Sequence, residues 1–548
     1  MGIEQLNKLQ IKAEILTVIS KLQTMSGGSN IDDMLGFLIA QEDKKAILDI
    51  LLKELTKTTE QKAALICYLL VKLCDKTELE NALWDILKKT SVDDVIKSIT
   101  LNLLKDMGNK VDYEKFSEYF ENPEDVIDAD TQKLLHVAIV NPEAQIDFLD
   151  FLKSLSAEDK RVLVESLGED YSSDDLANIL APLFLYSPTS ELGKVAIGIL
   201  GTTKSQLALH ALYQALDFVK DEETIALIKK NISALKISGV REDNSIDFYK
   251  SILAASKPYQ TYTSYPDGHG NQALIFSRER ENESIQIVAI VVNDCWGIID
   301  CFGFNEISKP EFERIVNRFY NGDEHIYINP PVLKSMLKKA EDLTRKTEGE
   351  ISYEYICWKT LLYDIPSEPV PVEFILDTKC EKKPLSDEDL EKVYAFDFIQ
   401  RWFLDTYYNQ GFKILVDNLN KKMSQDGAQI DFEAVVKENS DDIFSDEEKN
   451  LLDKRILMSA YLKYLSGDNQ KTQILYSLYF DEKQKSKLVE NIIRKSIYEY
   501  YVALKFKQKE ESKTKNIFTM KNKAKTHDLT AKQLDEAIAV IESMWVHE

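Results

Sequence analysis

Residues 258–303 read PYQTYTSYPDGHGNQALIFSRERENESIQIVAIVVNDCWGIIDCFG, and they decide what kind of object this chain is. β-Branched and aromatic residues recur at short spacing here, interrupted by clusters of turn formers. Four strands are expected, at Tyr259–Ser264, Asn271–Arg278, Ile285–Val292 and Ile298–Gly303. Only Gln286 is polar in the third, which should therefore be central and covered on both faces. Short connections make an antiparallel four-stranded meander the simplest arrangement.

In such a meander the connections alternate between the two ends of the sheet. The first loop, 265–271, and the third, 293–297, then fall at the same end. That gathers Asp267, His269, Asn271, Asn293, Asp294 and Trp296 on one rim. A carboxylate beside an imidazole can do acid–base work, and two aspartates with a histidine can hold a divalent metal. The indole could stack on a planar ligand. The same residues are also ordinary turn formers, whose side chains bond local backbone and whose glycines supply positive φ. Turn formation is the first reading of these residues and a binding rim the second, and no catalytic residue, metal or cofactor is assigned.

Outward from this island the period changes. Ser308-Lys-Pro-Glu311 starts a helix that should bury Phe312, Ile315, Val316 and Phe319. An extended piece at His325–Ile328, a helix at about 332–346 and an aromatic stretch at Tyr353–Leu362 complete a small α/β module, 241–364. Residues 365–386 hold four of the thirteen prolines and read as a linker. No proline follows, and helical patterns fill a C-terminal domain, 387–548. Capping boxes are expected at Ser445–Glu448 and Thr530–Gln533. A last helix should dock through Leu534, Ala537, Ile538, Ile541 and Trp545.

Before the island, residues 1–240 are helical stretches with short polar joints. Ser91, Ser156 and Ser172 each precede carboxylates as N-caps should. Thr59, Ser91, Pro123, Ala157, Thr189 and Asp221 mark helix starts at steps of 32, 32, 34, 32 and 32. Two helices per unit at that period fit a solenoid, whose repeats bury their faces only by stacking. Over about 31–236, and best in SELGKVAIGILG…SQLALHALYQALDFV, the chain resembles the HEAT/armadillo superfamily. The resemblance implies a stacked-helix scaffold. The fold class is thus mainly α: a HEAT-like α-solenoid, a small α/β module and a C-terminal helical domain.

Composition narrows function. The chain has 548 residues and a net charge of −24, a field that repels phosphate backbones and anionic lipid. Cys67, Cys74, Cys295, Cys301, Cys357 and Cys380 form no CxxC pair and read as reduced thiols. MGIEQLNKLQ has no apolar leader, and no apolar run is long enough to span a bilayer; a cytoplasmic protein without membrane contact is expected. Zinc-protease, nucleophile-elbow and EF-hand motifs are absent. Gly198–Ser205 imitates a phosphate loop but has Thr203 before Lys204 and follows a helix. His136 and His210 sit on helical stripes as structural histidines.

One basic segment stands out at 505–527. Lys505, Lys507, Lys509, Lys513, Lys515, Lys521, Lys523 and Lys525 face only Glu510 and Glu511, with Tyr and Phe interleaved. It is a solvated helix end, a strap for the acidic surface, or a nucleic-acid contact, in that order. The expected function is a non-catalytic scaffold or adaptor. It would bind protein partners through the acidic helical surface and the α/β module. A hydrolase-type or metal-dependent enzyme at the rim is the alternative, and nucleic-acid binding the third reading.

Overall fold

A computed structural model describes residues 6–24, 31–58, 60–109, 116–241, 250, 253–407, 409–423, 431–514 and 538–539. The chain is mostly helical, with a sheet in the middle and helices at both ends. It divides into two compact units, Met1–Val137 and Ala138–Glu548. The division falls inside the segment read as one helical-repeat domain.

In the first unit, helix Lys44–Leu55 packs on Glu60–Leu73, and Lys76–Leu87 on Asp94–Asp106. Their shared core holds the expected stripe Ile66, Leu69, Leu70 and Leu73, all buried. The start expected at Ser91 is capped instead by Asp93, whose carboxylate accepts from the Val95 N–H at 2.9 Å. Aspartate caps as well as serine, and this register frees the Asp94 carboxylate to accept from the Glu121 and Asn122 amides.

The second unit opens with helices Pro142–Ser154, Ala157–Asp170, Ser173–Tyr186, Glu191–Leu200, Gln206–Leu216 and Glu222–Ile237. Ser156 and Ser172 cap as expected, and Asp221 caps the last of them. From Ala157 onward each helix packs on the next but one, the contact pattern of stacked helical pairs, which is compatible with a helical repeat.

The sheet has five strands, not four. β1 (Ser256–Ser264), β2 (Asn271–Arg280), β3 (Ile285–Asn293) and β4 (Gly297–Ile307) form the meander. β5 (His325–Tyr327) is the expected extended piece, and it adds antiparallel to the free edge of β1. The order is β4-β3-β2-β1-β5. β3 is buried almost throughout, as its apolar run requires. Helix Lys309–Phe319 covers one face, with Phe312 and Val316 on Ile275, Ile285, Ile287 and Ala289. Helices Pro330–Lys346 and Tyr353–Trp358 cover the other, and the Trp358 ring lies directly over Gly303.

A buried ion pair ties the sheet to the end of its module. The Arg278 side chain is 1% exposed, and all five of its N–H groups are used. Nε donates to Ser256 Oγ, Nη1 to Leu361 O and Asp364 Oδ1, and Nη2 to Ser256 O and Asp364 Oδ2. Beyond it, the stretch expected as a linker carries a helix, Val372–Lys379, whose Leu376 is fully buried in the C-terminal core. That core also takes in Tyr265 and Ile326, so the sheet's rim end is built into the C-terminal helices. Ser445 and Glu448 form the expected capping box on Asp446–Leu465. Thr530, Leu534, Ala537, Ile541 and Trp545 lie outside the described residues, whereas Ile538 is buried in this core.

Candidate functional site

The β2–β3 register pairs Asn271 with Asn293, which brings the first and third loops to the same end of the sheet. There the polar side chains are knitted into the turns. Asp267 Oδ1 accepts from the His269 and Asn271 amides at 2.9 and 2.8 Å, and Oδ2 accepts from Asn271 Nδ2 at 3.1 Å. Asn293 Nδ2 donates across the gap to His269 O and Asn271 Oδ1, both at 2.9 Å. Its Oδ1 accepts from the Cys295 and Trp296 amides. All six rim residues thus lie within one cluster of bonds or its immediate neighbours, Trp296 through its amide, with its side chain mostly exposed.

The rim is not open to solvent along its length, because the C-terminal helices dock on it. Arg455, from helix Asp446–Leu465, grips Asp294 with two parallel bonds: Nε to Oδ2 at 2.6 Å and Nη2 to Oδ1 at 2.8 Å. Its Nη1 donates to Gly268 O at 2.7 Å. The Trp402 indole donates to Pro266 O at 2.9 Å. Two glycines make this approach possible. A Cβ on Gly268 would sit 2.6 Å from the Phe403 amide nitrogen, and one on Gly270, at φ +81°, would sit 1.8 Å from Asp294 Oδ1. Burial, with the Asp294 carboxylate adjoining, pushes the Cys295 thiol up to about 11, so it stays protonated at neutral pH.

Beside this seam the sheet face is left open where helix Lys309–Phe319 ends. A cleft of about 800 Å³ lies there between the strands, the Phe319–Glu324 turn and residues 397–403. Asp267 and His269 border it, and Asp294 does not. Its walls are aromatic: Tyr265 stacks on Phe398 at 4.4 Å, and the Phe403 ring stands edge-on to His269 at 5.6 Å. Its polar lining is acidic, with Asp267, Asp323, Glu324 and Asp397 against the single arginine Arg401. Arg401 makes a two-pronged ion pair with Asp323. Asp397 is exposed.

One wall already holds a cation. The Lys463 side chain is 4% exposed; its ammonium bonds Glu324 at 2.6 Å and lies 4.8 Å from the Tyr265 ring centre and 5.8 Å from that of Phe398. Carboxylate and two ring faces together replace the water that a buried ammonium gives up. Burial and the nearby Glu324 carboxylate push the Tyr265 hydroxyl far above its ordinary value.

No protein-family model, curated protein or solved structure matches the chain. The site therefore has to be read from its own chemistry. Arg401, Asp323, Asp397, Phe403 and Arg455 were invisible to the reading of the loops. They come from elements far along the chain and carry no local motif. Of the basic segment, Lys515, Lys521, Lys523 and Lys525 lie outside the described residues, and the side chains of Lys507, Lys509 and Lys513 likewise.

Proposed function

We propose that the protein is a non-catalytic scaffold or adaptor, and that its α/β module contributes the cleft beside the rim as a site for a protein partner. The observation that carries this reading is the division of labour at the rim. The polar groups that could have served catalysis are engaged in turns and in the Arg455 seam. What is left accessible is a cleft with aromatic walls and acidic edges, a surface suited to recognition. The acidic helical surface remains the proposed scaffold, and its charge favours basic or neutral partners.

The enzyme reading is carried less far. Asp267 accepts three bonds within its own turn, and Asp294 faces Arg455 away from the cleft. Among the described residues no group of three or more His, Cys, Asp or Glu side chains is placed to hold a metal ion.

The test is site-specific photocrosslinking in the native cell. A benzoylphenylalanine at exposed Gln400, on the cleft edge, should give a discrete polypeptide adduct. The same probe at Glu222, on a helix start far from the cleft in the chain, should not give that adduct. Absence of any polypeptide adduct from Gln400 defeats the proposal.

A further inference from the structure

We infer that the cleft recognises a cationic side chain, arginine or lysine, presented by an extended segment of the partner, and that Arg401 occupies its place in the free protein. This rests on the proposal that the cleft binds a protein. The chemistry follows from three features of the same cavity. Four carboxylates line it against two cations, Arg401 paired with Asp323 and Lys463 paired with Glu324, and Asp397 is exposed on the edge. Its wall shows how a cation is taken: Lys463 sits between the Glu324 carboxylate and the Tyr265 and Phe398 rings. Its one arginine is half exposed yet paired in two-pronged fashion with Asp323, so a guanidinium already fills the position an incoming guanidinium would take.

An exposed pair of this kind is exchangeable. Water and salt screen it, so it holds its partner weakly. A partner's arginine can therefore displace Arg401 from Asp323, with Asp397 and the Phe403 ring in the same cleft as further contacts. The volume of about 800 Å³ accommodates a side chain together with the backbone on either side of it.

The measurement is fluorescence anisotropy on the full chain, with a short labelled peptide carrying spaced arginines in a glycine–serine background. Its citrulline counterpart keeps the shape and hydrogen bonding but lacks the charge. The arginine peptide should bind and the citrulline peptide should not. Asp397→Asn should weaken binding about threefold and Arg401→Ala should strengthen it by a similar factor, the size expected for one exposed charge. Glu222→Gln, outside the cleft lining, should change nothing.

Equal binding of the two peptides overturns the inference. So does an equal loss from Glu222→Gln and Asp397→Asn, which would mean that only the overall charge is being sensed. Both side chains changed in the cleft are exposed, and an unchanged urea midpoint will show that the fold is intact. If the Gln400 probe captures a polypeptide and Asp397→Asn leaves that capture unaltered, the cleft binds a partner and the cationic chemistry is wrong. If it captures none, both readings fall.

Discussion

At the scale of single residues, the Arg455–Asp294 pair is the contact on which the rim depends. It is mostly buried, geometrically matched and reinforced by Gly268 O. Arg455→Ala leaves a partly buried carboxylate without its counter-charge and strips Gly268 O of the guanidinium donor, and should cost about 2–4 kcal/mol in urea unfolding. Arg455→Lys should recover less than half, because an ammonium cannot make two parallel bonds. Combined with Asp294→Asn, the losses should be clearly non-additive.

His210 supplies a pH signature at the same scale. Burial, then the charges of Lys359 and Lys334, lower it from 6.5 to about 4. The folded state therefore favours the neutral ring, while the unfolded chain takes up a proton near 6.5. Its contribution to stability is complete above pH 6.5 and is lost as pH falls from 6.5 towards 4. Urea midpoints measured across that window should decline less steeply in His210→Asn than in the parent.

At the scale of elements, the strands were legible because period-two patterning and turn residues are local signals. β3 could be placed at the centre from its composition alone, and the shared end of two loops followed from the meander. β5 was visible as an extended piece, but its pairing was not, since three residues from His325 to Tyr327 carry no register information. The helix inside the proline-rich stretch was hidden because prolines at 366, 369 and 371 read as breakers, while Leu376 is held by tertiary burial. Which rim residues face the cleft was not legible either. The deciding partners, Arg455 and Phe403, are brought in by long-range packing that no local pattern encodes.

The Arg278–Asp364 pair joins two such elements, a strand and the end of a 3₁₀ turn. Asp364→Ala strands a guanidinium that is 1% exposed and should cost about 3–5 kcal/mol. Replacing both, as Arg278→Met with Asp364→Leu, should recover most of that loss, since an apolar pair avoids the desolvation of two charges. A double replacement no more stable than Asp364→Ala would mean that the bonds to Ser256 and Leu361 matter more than the charge balance.

At the scale of the molecule, the first unit's helices bury an apolar cluster, from Ile11 to Phe120, that lies wholly within that unit. A unit with its own core can unfold on its own. Calorimetry of the full chain should resolve two transitions, and removal of residues 1–137 should abolish one and leave the other's midpoint within a few degrees. The net charge of −24 adds a condition. Self-repulsion is screened by salt, so both transitions should move upward between low and physiological ionic strength.

The seam at Gly268 also has a consequence for how the protein is made. Arg455 lies 187 residues beyond Gly268 and 161 beyond Asp294. A ribosome needs on the order of ten to thirty seconds to cover that distance. For that interval the nascent sheet carries an Asp294 carboxylate without its guanidinium, and Trp402, which covers Pro266, itself follows that residue by 136 positions. The finished rim is thus a late event of biosynthesis. Until Arg455 has emerged, the half-made module stays open to chaperones and to premature association.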